Sequence, residues 1–240
     1  MWAAREGSVP LVEFLLDHSA DIDVVDSSQL SALHLASSQG HTDVVSLLIE
    51  RNATLDLRGW LDRTALHWAA KAGFCATLER LLEAGADVNA LDACDSSALC
   101  AAAENGHYAV VKSLVNARAD IDPSVSACSP AAAHRPESAL HLASQNNHKA
   151  IATFLLARGA DKSLRTPEGQ TPEQLAQSDE MRHLLRHYVW QWSLKHHHRR
   201  TPKRIRLVIE VLLAIRTLEQ HSLLARLPLE MVFEIFRFLS

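Results

Sequence analysis

Ser31-Ala32-Leu33-His34-Leu35-Ala36 returns as Thr64-Ala65-Leu66-His67-Trp68-Ala69, Ser97-Ala98-Leu99-Cys100-Ala101-Ala102 and Ser138-Ala139-Leu140-His141-Leu142-Ala143. A weaker copy reads Thr171-Pro172-Glu173-Gln174-Leu175-Ala176. From each fourth residue to the next, the steps are 33, 33, 41 and 33. Gly7, Gly40, Gly73 and Gly106 keep the same 33-residue step, and Asn147 follows 41 later. Two residue types that share one period and one slip of 8 residues define a structural repeat.

Each position in the motif has a physical reading. Ser31, Thr64, Ser97, Ser138 and Thr171 are placed to cap helix N-termini, because a hydroxyl accepts a backbone N–H that the helix leaves free. The residue after the cap is Ala four times and Pro only at Pro172. The Leu faces the stack, and the Ala two places after the His lets helices approach closely. The Gly/Asn series suits a left-handed turn after this first helix. A second apolar helix then runs through Val44–Leu48, Leu78–Leu82, Val110–Leu114 and Ile151–Leu155, closing near Gly85-Ala86-Asp87, Ala119-Asp120 or Gly159-Ala160-Asp161. One such helix pair cannot bury its own apolar face, whereas stacked neighbours can. The fold expected is therefore an all-α solenoid, with Leu33, Leu66, Leu99 and Leu140 in file along one axis.

These residues resemble the ankyrin-repeat family, whose repeat is about 33 residues with a T-P-L-H-x-A signature. The resemblance covers residues 1–187, with repeats near 26–58, 59–91, 92–132, 133–165 and 166–187 after a partial first one. It implies hairpin loops between repeats and a protein-binding function through loop tips and inner helices. The Gly expected two residues before each cap is Gln29, Asp62, Asp95 and Pro136, and survives only as Gly169. Stepping 33 back from His34 lands on Met1, so the first helix is expected to be a frayed cap or the start of a fragment. The 8 extra residues fall within 122–136, a Ser/Ala/Pro-rich loop that either binds or is merely tolerated.

Composition narrows the function. Hydrophobic residues are 48% and charged residues 22%, enough for a core. Residues 1–179 hold 13 Lys and Arg against 23 Asp and Glu, while residues 180–240 hold 11 against 5. The acidic array suits a client with a basic surface, or simply solubility, and argues against nucleic-acid binding by the array. The four cysteines form no CxxC pair, which fits a reducing compartment, cytoplasmic or nuclear. No apolar run reaches the ~20 residues of a membrane span.

Fourteen histidines raise the question of chemistry. His34, His67 and His141 lie in separate repeats, and the resemblance gives them structural hydrogen bonds between loops. His41, His107 and His148 follow the first helix of their repeats and are expected to be exposed. The side chains of His196-His197-His198 diverge, and no Cys or carboxylate stands near to close a tetrahedral site. No phosphate loop, nucleophile elbow or H-E-x-x-H occurs, so no enzyme activity, metal or cofactor is expected.

Two regions stand out as binding candidates. On the loop tip 57–61, Trp60 with Arg58 and Leu61 carries the residue types enriched at interface hot spots. Trp60 either contacts a client or folds back on the adjacent tip. Trp68, on an inner helix, is either half-buried packing or contact surface. Beyond a basic linker at 188–204, residues 205–240 form a helical pair, the first helix striped by Leu207, Val208, Val211, Leu212, Ile215 and Leu218. Lys195, Arg199, Arg200, Lys203, Arg204 and Arg206 form an acid-free basic segment: a solvated linker or basic helix end, a nuclear-import signal, or a contact for an acidic surface or nucleic acid.

Leu227, Pro228, Leu229 and Glu230, followed by Ile235, Phe236 and Leu239, resemble the opening of an F-box. That resemblance implies docking to the small adaptor of a cullin–RING ubiquitin ligase. The placement near the chain end also resembles a SOCS box, although Val211 and Glu230 replace that family's Cys and second Pro. The alternatives are a plain scaffold whose C-terminal helices only cap the repeats, and a nuclear regulator that uses the basic segment.

Overall fold

A computed structural model describes residues 1–122 and 137–188. The backbone divides into two units, Met1–Val189 and Trp190–Ser240. The basic segment, the adaptor-docking residues and the helical pair at 205–240 lie outside the described residues, as do most of the insertion and of the linker.

Among the described residues, the elements are all helical apart from one isolated bridge, Leu91 to Ser97. An inner row holds α1 (Trp2–Arg5), α3 (Ala32–Gln39), α5 (Ala65–Ala72), α7 (Ala98–Glu104), α9 (Ala139–Gln145) and α11 (Pro172–Leu175). An outer row holds α2 (Val9–Asp17), α4 (Thr42–Glu50), α6 (Cys75–Glu83), α8 (Tyr108–Asn116), α10 (Lys149–Ala157) and α12 (Asp179–His187). Each inner helix packs on the next, and α2, α4, α6, α8 and α10 do likewise. Leu33, Leu66, Leu99 and Leu140 are buried in one continuous core and queue along the stack. Ala36, Ala69, Ala102 and Ala143 are wholly buried beside them, which lets the helices approach closely. The helices are short and marginal alone, so burial between neighbours, about 1.5–3 kcal/mol per Leu, holds the array together.

The motif histidine joins consecutive repeats. His34 Nδ1 accepts the Ser31 backbone N–H at 3.1 Å, so the ring proton sits on Nε2. Nε2 donates to the Leu57 carbonyl at 3.0 Å and the Arg63 carbonyl at 3.1 Å in the next hairpin. His67 does the same between Thr64 and Ser96, and His141 between Ser138 and Leu164. Burial holds all three imidazoles below their ordinary pKa of 6.5, outweighing the carbonyls that favour protonation. In the third repeat Cys100 takes the place, and its thiol reaches the Glu137 carbonyl at 3.6 Å. Burial raises that thiol's pKa, so it stays a neutral, weak donor.

The turn histidines correct the expectation of exposure. His41, His107 and His148 are half-buried. Their Nε2 atoms donate back to the carbonyls of Arg5, Lys71 and Glu104 at 2.9–3.0 Å. Their rings lie over the preceding repeat's turn. A Cβ on Gly73 would fall 2.6 Å from the His107 ring, and Gly73 also has φ +84°, so glycine is required there twice over. Phe74 covers Gly40 in the same way.

A third series ties the loops. Asp23 accepts the Thr54 N–H at 3.0 Å, Asp56 that of Asp87 at 3.1 Å, and Asn89 that of Asp120 at 2.9 Å. Asp122 accepts the Asp161 N–H at 2.7 Å across the inserted residues. Among the described residues no helix is long and apolar enough to cross a membrane.

Candidate functional site

Four of the hairpins, the first, second, third and fifth, share one main-chain bond in register: Asp26 N–H to the Leu30 carbonyl, Gly59 to Arg63, Asp92 to Ser96 and Thr166 to Gln170. Asp26 and Asp92 also cap their own turns. Asp26 Oδ1 accepts from Ser28 and Leu30, and Asp92 Oδ1 from Cys94 and Ser96, at 2.8–3.0 Å. Gly59 has no side chain to do this. A Cβ there would lie 3.0 Å from His34 Nε2 and 3.1 Å from the Gln29 carbonyl, so the seat is tight.

The second hairpin is therefore held from outside. Arg58 donates to the carbonyls of Asp62 and Leu91, and Ala93 N–H donates to the Leu61 carbonyl at 2.9 Å. Both Leu61 (φ 57°) and Asp62 (φ 55°) are left-handed, whereas the first, third and fifth hairpins place only Gln29, Asp95 and Gly169 there. Left-handed backbone at Leu is costly, of order 1–3 kcal/mol, and persists only when the surroundings impose it.

This framework presents Trp60, which is 51% exposed. Its ring centroid stands 6.5 Å from that of Trp68 on α5, at 31°. Trp68 is half-buried, and its Nε1 is buried without an acceptor. The Arg63 guanidinium lies 6.0 Å from the Trp68 ring and pairs with the buried Asp92 carboxylate at 3.0 Å. Leu61 and Leu91, on the second and third tips that the Arg58 and Ala93 bonds join, are each 38% exposed. Arg58 spends its bonds on carbonyls, and no ion pair to it occurs among the described residues. The surface thus joins an indole, two leucines and a cation at the tips of the second and third hairpins.

Arg58, Trp60, Leu61 and Trp68, singled out in the sequence, fall together here. Trp60 both leans toward Trp68 and keeps half its surface open. Sequence reasoning missed Leu91, and with it Arg63 and Asp92, the ion pair that fixes the third tip against the second. A signal was present: the repeat places Leu30, Ser96 and Gln170 where Arg63 stands.

A family model described as ankyrin repeats (3 copies) matches residues 1–92, 66–166 and 99–188. No curated protein shows significant sequence similarity to the chain.

Proposed function

The chain belongs to the ankyrin-repeat family, and on that premise we propose that this protein-interaction module is non-catalytic and grips its client through Arg58, Trp60, Leu61 and Trp68. The observation that carries this is Trp60, half exposed on a hairpin whose backbone is imposed by its neighbours. A preset Trp loses little freedom on binding, and Trp and Arg dominate binding hot spots. The test is affinity capture from lysate with the full chain, wild type against Trp60→Ala, with thermal unfolding alongside. Proteins recovered by wild type and depleted about fivefold or more by the variant, at unchanged unfolding temperature, are the expected result. Equal recovery by both chains, or loss of stability matching the loss of capture, overturns it.

The finer reading is a substrate-recruiting subunit of a cullin-type ubiquitin ligase. Its support is sequence: Leu227, Pro228, Leu229, Glu230, Ile235, Phe236 and Leu239, in an F-box-like order near a SOCS-box-like position. Full-length chain mixed with a recombinant cullin adaptor should co-elute, and Leu229→Ala with Phe236→Ala should abolish this. Separate elution of the wild type leaves the plain scaffold reading.

A further inference from the structure

Nine histidines lie among the described residues, and seven of them are committed to hydrogen bonds. His34, His67 and His141 join a cap to the next hairpin, and His41, His107 and His148 hold the preceding repeat. His18 Nδ1 donates to the Phe14 carbonyl at 2.8 Å. Among the described residues, only His183 and His187 leave both ring nitrogens without a hydrogen bond. They stand four apart on α12, with ring centroids 4.3 Å apart and planes inclined at 38°. The helix sets this pairing. Met181 and Leu185 are buried in the core, and at about 3.6 residues per turn positions 183 and 187 face away from it together. Both are exposed.

We propose that His183 and His187 chelate a divalent transition-metal ion across one turn of α12. Imidazole nitrogen suits Ni(II), Cu(II) and Zn(II), and histidines at i and i+4 of a helix present two donors to one ion. Binding breaks no bond within the protein, because neither ring is spent on a carbonyl. It asks for little movement, since the rings already lie side by side. The flanking cations do not meet the ion as bare charges: Arg182 pairs with Asp179 at 2.6 Å, and Arg186 with Glu173 at 2.7 Å. No group of three or more His, Cys, Asp or Glu that could hold a metal gathers among the described residues. Those residues thus supply two imidazoles, water completes the shell, and the ion exchanges freely. While bound to the folded helix, it staples one turn of α12 and stabilises it.

The test is calorimetric titration of Ni²⁺ into the full chain carrying His196→Ala, His197→Ala and His198→Ala, which removes the other histidine run. One ion per chain should bind. His183→Ala and His187→Ala, each added alone, should weaken binding about 100-fold, the gain from making a second bond within one molecule. His187→Gln should repeat the loss with a side chain of similar size, at an unchanged circular dichroism spectrum. In Ni²⁺ at about ten times its dissociation constant, the unfolding temperature of the parent should rise by about 3–6 °C, and that of the variants should not move. A parent chain that binds no Ni²⁺ overturns the proposal. So does binding that either single variant keeps, because one ring alone or residues elsewhere would then hold the ion.

Discussion

Cys100 stands where three other repeats carry histidine, and its thiol meets the Glu137 carbonyl at 3.6 Å where imidazoles reach their carbonyls at 3.0–3.1 Å. Cys100→His should restore two good hydrogen bonds and raise stability by about 1 kcal/mol, read by thermal or urea unfolding. A less stable variant would show that the site lacks room for a ring. The three histidines that are present set a pH dependence. Burial lowers their folded pKa, so as pH falls below 6.5 the unfolded chain takes up protons first. Stability is complete above that value and declines as pH drops through it, because protonated Nδ1 can no longer accept the cap N–H. Urea unfolding at pH 7.5 and pH 5.5 checks the sign, and a midpoint that is higher at pH 5.5 would refute it. The caps could be read from the sequence because Ser31 and His34 interact three residues apart. The turn histidines could not, since His41 finds its carbonyl 36 residues away at Arg5.

At the scale of elements, the helices and the hairpins differ in how far local sequence decides them. Helix pairs follow from the apolar period and the caps. The hairpins place Gln29, Asp62 and Asp95 in left-handed conformations that glycine accepts more readily. Gln29 is exposed, and the turn's bonds come from Asp26 and the backbone. Gln29→Gly should therefore stabilise the protein by roughly 1 kcal/mol, measured by unfolding. Destabilisation would show that the glutamine conformation costs nothing here. In the core, Leu66→Ala should cost about 2–5 kcal/mol, since α3, α5 and α7 all close on that position. The second hairpin was harder to foresee. Its geometry depends on Arg58 and Ala93 reaching across to another repeat, which no local pattern records.

For the whole molecule, nearest-neighbour coupling is what matters. The junction of the third and fourth repeats combines the Cys100 contact with the longer connection of residues 122–136. Amide hydrogen exchange should thus open α9 and α10 at lower free energy than α5 and α6. Uniform protection across the four helices would show that the thiol couples as well as an imidazole. The array was visible from its period alone. The Asp and Asn series that spans it was not, because each member bonds 31 or 39 residues ahead.

That series has one consequence for how the protein tolerates change. Asp122 grips Asp161 across the enlarged connection just as Asp23, Asp56 and Asn89 grip their own partners over the ordinary one. The clamp itself lies outside the extra residues, so its length does not depend on how many of them there are. Each doubling of such a connection costs only about 0.6 kcal/mol. A foreign sequence inserted just after Asp122 should accordingly leave thermal unfolding nearly unchanged, because the Asp122–Asp161 bond lies outside the lengthened stretch.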